Sequence, residues 1–255
     1  MKKIAVLLML VLSVMGIYSC SKDKDGQAKV KVMLTDAPGI YDAVYVDIQR
    51  IEFNVNNEWH TLNPVVPGVY NLIELSNGID TLMGDILLPP GQISQIRLIL
   101  GSQNSVVVGG VSHPLNTPSG QQSGLKLNLH TTLEAGKSYT IWLDFDAGKS
   151  VVATGSGNYN LKPVIRAYSD LTNGRIQGNV LPMTANTIIY AISGTDTFSA
   201  IPDAAGNFLI SGLPQGTYNV WFDADAATGF NDQVVNNVSV TFGNITVLPP
   251  VLLLP

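Results

Sequence analysis

The sequence is poor in cysteine and in charged side chains, and each shortage excludes a class of protein. Cys20 is the only cysteine among the 255 residues, so no disulfide framework can hold the chain together. Asp, Glu, Lys and Arg make up 13% of the chain, about half of the share near a quarter that is typical of soluble proteins. Because Glu and Lys favour helix surfaces, this composition argues against helical bundles, coiled coils and charged disordered tails.

Familiar catalytic motifs are missing as well. The chain has no G-x-S-x-G, no P-loop and no dinucleotide-binding fingerprint. Ser123 and Lys126 match an S-x-x-K pattern, but the S-D-N and K-T-G motifs that accompany it are absent. His60, His113 and His130 lie too far apart in the sequence to indicate a metal cluster. We therefore expect a protein that is not an enzyme and that binds no cofactor and no metal.

The residues that are abundant favour strands joined by turns. The chain has 24 glycines and 14 prolines, and runs such as Val30, Val32 and Leu34 alternate with polar residues. The alternation changes phase at Gln49–Arg50, which predicts a β-bulge, and Asn56–Asn57 predicts a tight turn. One short helix is expected around Leu75–Gly84. The predicted fold class is all-β.

The first twenty residues have the features of an export signal. Lys2 and Lys3 form a basic start, and Ile4–Ile17 is an apolar run that is too short to span a bilayer comfortably. The run closes on Ile17–Cys20, which resembles a lipobox, with an aliphatic residue at −3, a small residue at −1 and then cysteine. The resemblance implies cleavage before Cys20 and acylation (palmitate) of that residue.

Such an anchor predicts an outer-membrane lipoprotein that is attached to the membrane through its lipid. Loss of Lys2 and Lys3 changes the net charge from −5 to −7, which disfavours nucleic acid as a partner. The charged tract Lys22–Asp25 resembles signals that carry some lipoproteins to the cell surface, and it is equally compatible with a simple solvated tether. Periplasmic and surface orientations both remain open.

The first part of the mature chain carries several motifs in a fixed order. They include Leu34–Pro38 (LTDAP), Asp144–Asp146 (DFD) and Leu161–Arg166 (LKPVIR). Over Ala28–Tyr168 this pattern resembles a bacterial lipoprotein domain family of unassigned function. The resemblance implies a domain but no reaction.

A second pattern follows the polar cluster Ser169–Gly174. Asp203–Val220 reads D-x-x-G-x-F-x-I-x-G-L-P-x-G-x-Y-x-V, which is similar to the carboxypeptidase regulatory-like module, a prealbumin-type sandwich related to starch-binding-type folds. We expect two Ig- or prealbumin-like antiparallel β-sandwiches in tandem. The boundaries place a signal peptide at 1–19, a lipidated tether at 20–27, and domains at 28–169 and 174–255.

Each domain contains one strand with a tryptophan and two aspartates at alternate positions. Trp142, Asp144 and Asp146 are out of phase with the apolar residues between them, and so are Trp221, Asp223 and Asp225. Parity places both sets on the face away from the core. An indole ring can stack on a sugar and carboxylates can bind hydroxyl groups, so these six residues are candidate ligand-binding residues. The carboxylates could also help to hold Ca²⁺, which is the weaker alternative because the D-x-D-x-D-G loop of an EF-hand is absent. The alternative is a purely structural role, in which a neighbouring loop covers each indole and the aspartates end an edge strand.

Two functions from different classes fit these features. The first is a non-enzymatic binding or adhesion module of the cell envelope, with a carbohydrate as the expected ligand. The alternative is a structural spacer or assembly subunit that tethers another envelope protein and binds no small molecule. A glycoside or ester hydrolase ranks third, because glycosidase chemistry needs only two carboxylates.

The lipid anchor gives a direct prediction. Cys20→Ala should release the protein from the membrane fraction and abolish labelling by a fatty-acid analogue, because two or three acyl chains are needed for stable anchoring. Fractionation of cells that express each form, with labelling in parallel, measures this. Unchanged fractionation of the variant would show that Cys20 is not the anchor.

Overall fold

The computed structural model describes residues 26–37, 39–117, 124–155, 157–169 and 171–255. The expected signal peptide, Cys20, most of the tether and Ser123 lie outside these residues. Two hydrophobic cores are present, one formed by residues from Ala28 to Leu161 and the other by residues from Ile176 to Leu253. We call the corresponding parts of the chain the first and the second module.

The described residues are mainly strands. Those of the first module are β1 Ala28–Ala37, β2 Ala43–Val55, β3 Glu58–Leu62, β4 Gly68–Asn71, β5 Thr81–Leu88, β6 Gly91–Leu100, β7 Ser105–Val108, β8 Val111–Asn116, β9 Leu125–Leu127, β10 Thr131–Leu133, β11 Ser138–Asp146, β12 Val151–Ala153, β13 Tyr159–Leu161 and β14 Ile165–Ser169. Those of the second module are β15 Asn173–Leu181, β16 Ile188–Ser193, β17 Asp196–Ala200, β18 Asn207–Pro214, β19 Gly216–Asp223, β20 Gln233–Val240, β21 Ile245–Val247 and β22 Val251–Leu252. The helical elements are short: α1 Ala147–Ser150 and 3-10 turns at Leu72–Leu75, Met183–Ala185 and Ala226–Thr228. None of the helices in the described ranges has the length and apolar character needed to cross a bilayer.

Two sheets build the first module. A four-stranded sheet has the order β14-β11-β1-β5, and a ten-stranded sheet follows the path β10-β6-β2-β7-β8-β13-β12, with β3, β4 and β9 paired beside it. In the second module one sheet contains β18, β15, β21 and β22, and the other has the order β17-β16-β19-β20. The all-β prediction is confirmed. Most neighbours are antiparallel, but β1 pairs with β11, β8 with β13, and β15 with both β21 and β22 in parallel.

Local sequence accounts for the shape of the long strand β2. Its register on β6 shifts between Ile48 and Arg50, where Gln49 and Arg50 are both exposed. This is the β-bulge that the change of phase predicts, and it keeps Ile51 on the core side. The turn after β2 places Asn56 and Asn57 at φ values of 51° and 68°, a conformation that asparagine tolerates well.

The prediction of a short helix around Leu75–Gly84 is wrong. The 3-10 turn at Leu72–Leu75 ends at the first residue of this segment, and residues 81–88 form strand β5 against β1. Asn77 and Gly78 both have positive φ, which breaks any helix at that point. Pairing with β1 decides the conformation of the following residues.

The two modules are joined by a tight connection rather than a flexible linker. The backbone N–H of Thr172 donates to the carbonyl of Ser169 at 3.1 Å, and the Asn173 side chain donates to the carbonyl of Gly212 at 2.8 Å. Across the junction the Arg166 guanidinium lies 4.3 Å from the ring centre of Phe198. The modules are therefore in direct contact.

The separate core of the second module gives a prediction. Residues 174–255, expressed alone, should show one cooperative unfolding transition, because a sandwich of this length can bury its own core. Circular dichroism during a urea titration measures this. A fragment without a transition would show that the two modules form one folding unit.

Candidate functional site

Trp142 lies in the four-stranded sheet of the first module, at the junction. Its register neighbours are Met33 on β1 and Tyr168 on β14. The indole stacks on Tyr168 with ring centres 5.5 Å apart and an angle of 7°, and its Nε1–H donates to Asp80 Oδ2 at 2.9 Å. The ring is half-buried. One face of the indole is therefore taken by Tyr168, and Trp142 is held as part of the junction rather than presented as an open platform.

Asp144 and Asp146 are not exposed, which corrects their predicted position. They are 5% and 6% exposed. Asp144 Oδ2 accepts a hydrogen bond from Arg166 at 2.5 Å. Asp146 Oδ1 accepts the backbone N–H of Lys149 at 3.0 Å, which caps α1, and Asp146 Oδ2 lies 2.8 Å from Lys149 Nζ. Parity places them on the outer face, but both are buried there, Asp144 by pairing with the distant Arg166 and Asp146 with the nearby Lys149, so both carboxylates stabilise the fold.

Burial also changes the acid–base properties of this region. It raises the pKa of Asp144, an effect that the Arg166 guanidinium opposes. Burial raises the pKa of Asp36 to about 9, with a smaller contribution from the charges of Asp144 and Asp146. The carboxyl groups of Asp36, Asp144 and Asp146 thus affect one another's pKa, and Asp144 and Asp146 each have a basic partner.

Trp221 occupies a different environment. It lies on β19, and its register neighbours are Tyr190 on β16 and Val234 on β20. The rings of Trp221 and Tyr190 are half-buried, with centres 5.5 Å apart and tilted by 33°. Val234 beside them is 50% exposed. Tyr190 and Trp221 form what we call the aromatic strip, on the face opposite the buried Val220 and Phe222.

Sequence reasoning missed Tyr190. The residue alternates with Ile189 and Ala191, which are fully buried, so its outward phase was readable from the sequence. Its place beside Trp221 depends on the pairing of β16 with β19, which no local pattern specifies. The strip is therefore a product of the sheet register.

The two aspartates that follow Trp221 have different roles. Asp223 is half-buried next to the strip, and burial, followed by the charge of Asp232, raises its pKa. Asp225 is exposed; its Oδ1 accepts the backbone N–H of Ala227 at 2.9 Å, and Asn186 donates to its Oδ2 at 3.2 Å. These bonds lower the pKa of Asp225. Asp223 can face a ligand on the strip, whereas Asp225 caps a 3-10 turn.

The third tryptophan, Trp59, was also passed over. It is 40% exposed on β3, but the Arg97 guanidinium lies 3.9 Å from its ring centre. Glu52 is 3.8 Å from the same arginine. Trp59 is thus covered by a cation and makes a useful comparison with the aromatic strip.

The buried ion pair gives a prediction on stability. Arg166→Ala should lower the free energy of unfolding by about 3 kcal/mol, because it leaves the Asp144 carboxylate buried without its counter-charge. Arg50→Ala is the control, since Arg50 pairs with Glu52 at the surface, and it should cost less than about 1 kcal/mol. Urea denaturation of the three proteins measures both values. Equal losses in the two variants would contradict the assignment.

Comparison with known proteins gives a family for the first module and little beyond the fold for the whole chain. No curated protein matches. A cohesin–X-dockerin complex from Acetivibrio cellulolyticus is 24% identical with a TM-score of 0.26, over 31% of this chain and 56% of that one. A minor pilin of Streptococcus agalactiae is 9% identical with a TM-score of 0.25, over 88% and 96%. A fimbrial protein of Bacteroides ovatus is 10% identical with a TM-score of 0.28, over 90% and 51%. The chain thus spans about half the length of the first of these structures.

Such low TM-scores say nothing about function. The family comparison is more specific, because a model described as a domain of unknown function (DUF4382) matches residues 27–163. The match includes the LTDAP and DFD motifs and covers the whole core of the first module. Since it spans more than half of the 255 residues, the chain belongs to this family of domains of unknown function, DUF4382.

Proposed function

We propose that this protein is a non-enzymatic lipoprotein of the cell envelope that binds a carbohydrate on the aromatic strip of its second module. The observation that carries the proposal is the pair of adjacent, half-exposed rings of Tyr190 and Trp221, 5.5 Å apart on the outer face of one sheet. Aromatic rings supply apolar area to the faces of sugar rings. Neighbouring polar groups then fix orientation.

Polar side chains flank the strip along the same strand. Asn219 and Asp223 lie two residues before and after Trp221, so all three share one face of β19. An amide and a carboxylate can donate to and accept from sugar hydroxyl groups. The strip therefore combines apolar surface with hydrogen-bonding groups, which is the composition that a sugar site requires.

The assignment of a non-enzymatic role is supported by how the acidic residues are used. Asp144 holds Arg166, Asp146 caps α1 and Asp225 caps a turn. Each of these carboxylates therefore has a partner within the fold. The six residues proposed from sequence thus reduce to Trp221 and Asp223 as ligand contacts, with Tyr190 added.

The envelope location rests on the sequence alone. The resemblance of Ile17–Cys20 to a lipobox supports a lipid anchor in the outer membrane, and the charged tract Lys22–Asp25 is compatible with both the periplasmic and the surface orientation. The motif in Asp203–Val220 supports assignment of the second module as carboxypeptidase regulatory-like. In this arrangement the first module is the membrane-proximal part of the chain and the second module carries the ligand.

A spacer or assembly subunit that binds no small molecule is the second candidate. It is favoured by the contact at the junction, where the Arg166 guanidinium of the first module lies over the ring of Phe198 of the second. A spacer needs this kind of docked junction, whereas a ligand site needs accessible rings. Under this candidate the partner is another envelope protein.

Substitutions in the strip test the proposal. A soluble form lacking residues 1–20 retains both hydrophobic cores and is suitable for a glycan-array screen. Trp221→Ala and Tyr190→Ala should each weaken binding of a retained glycan by roughly 1–3 kcal/mol, a range taken from stacking of bases on aromatic side chains. Isothermal titration calorimetry with that glycan measures the loss.

Trp59→Ala is the matched control, because Trp59 is a partly exposed tryptophan that Arg97 already covers. It should leave glycan binding unchanged. Thermal unfolding of each variant separates lost contacts from lost structure. If the array retains no glycan, or if Trp59→Ala weakens binding as much as Trp221→Ala does, the spacer candidate is preferred.

A further inference from the structure

A small cavity lies where the two modules meet. Asp36, Asn77 and Asp144 of the first module line it together with Ser199 and Ser211 of the second. Its volume is about 20 Å³, which is room for one water molecule or one ion. These five groups present oxygen atoms, and the lining also includes the apolar Leu209 and the side chain of Arg166, which is paired with Asp144.

Asp36, in the LTDAP motif, is the most unusual of these groups. Its side chain is 5% exposed, and its Oδ1 accepts the backbone N–H of Ala147 at 2.9 Å. Its Oδ2 has no contact with solvent and no hydrogen-bond partner among the described residues. Leaving such an atom unpaired costs about 1–3 kcal/mol or more for a charged group, so something is expected to bind it.

Asn77 presents a second atom of the same kind. Its Oδ1 is also buried without a partner in the described structure. The loop that carries it is fixed against β1, because the Thr35 hydroxyl donates to the carbonyls of Leu75 and Ile79, each at 3.0 Å. Two acceptor oxygens on fixed backbone therefore border one cavity. A carbonyl oxygen and an ionised carboxylate oxygen both accept, so the two satisfy each other only when Asp36 is protonated or when a donor or a cation lies between them.

The charge balance around the cavity favours a cation. The carboxylates of Asp36, Asp144 and Asp146 are grouped here, and the basic groups that face them are Arg166 and Lys149. Arg166 is paired with Asp144, and Lys149 with Asp146. Burial raises the pKa of Asp36 to about 9, so its carboxyl group is mostly protonated at neutral pH, and its ionised form has no counter-charge among the described residues. A cation beside it would supply one.

We propose that this cavity binds one hard cation of the calcium type, held by Asp36 Oδ2 and Asn77 Oδ1. Nowhere in the described ranges do three His, Cys, Asp or Glu side chains converge as they do in a metal cluster, so water and neutral oxygens must complete the shell. Calcium accepts carboxylate, amide carbonyl and water oxygens in irregular geometry, whereas magnesium requires a near-ideal octahedron. Because both modules line the cavity, the bound ion stabilises their docked arrangement.

Calcium titration of the soluble form lacking residues 1–20 tests the site. Calorimetry with CaCl₂ should show saturable binding in the sub-millimolar to millimolar range that is typical of extracellular calcium sites. At about 5 mM calcium the thermal midpoint should rise by about 5 °C, and EDTA should reverse the rise. The same concentration of magnesium should have a smaller effect.

Two variants connect the effect to the cavity. Asp36→Asn removes the charge with little change in shape, and Asn77→Gly removes the carbonyl while suiting the positive φ of 56° at that position. Both variants should lose the heat of calcium binding and the calcium-dependent rise of the thermal midpoint. Asp85→Asn, which alters an exposed carboxylate paired with Lys29, is the control and should retain them.

A wild-type protein without calcium heat and without a shift would overturn the proposal and leave water or a proton on Asp36 as the occupant. A shift of equal size in wild type and in either cavity variant would do the same. If Asp36→Asn does not fold, Asn77→Gly decides the question, because glycine is compatible with the backbone there.

Discussion

The carboxylate of Asp144 cannot be buried without its counter-charge, and much of the architecture depends on how this requirement is met. Arg166 supplies the charge from β14, the last strand of the first module, and its guanidinium lies over the ring of Phe198 of the second. The same strand brings Tyr168 onto Trp142. One ion pair thus orients the strand that joins the modules. Desolvation of the pair is offset only because the geometry is close and both partners are fixed by the sheet.

Much of the fold is readable from the sequence because alternation and turn chemistry act locally. The phase change at Gln49–Arg50 corresponds to a real shift of register, and Asn56–Asn57 to a real turn with positive φ. The exception is the segment around Leu75–Gly84, where a short helix was expected. There, pairing with β1 and two positive-φ residues outweigh a weak helical preference.

The candidate site was predictable only in part. Parity correctly put Trp142 and Trp221 out of phase with their cores, since alternation is a property of the strand itself. It could not show that Asp144 is covered by Arg166, or that Tyr190 lies beside Trp221, since both facts depend on pairings between distant segments. Burial of the outer face is decided by the contact between modules. No pattern within a single strand records that contact.

The parallel pairing of β1 with β11 has a consequence for the way the chain is made. Lys29 lies opposite Ser138, so the first strand gains one of its two neighbours only after more than a hundred further residues have been added and folded back. Long-range pairing of this kind is slow, because the entropy of closing a large loop must be lost before any contact compensates it. Until then the apolar side of β1, with Val30, Val32 and Leu34, lacks part of its cover and is an aggregation hazard. Strand β1 therefore stays incompletely paired until β11 has been made and has folded back onto it.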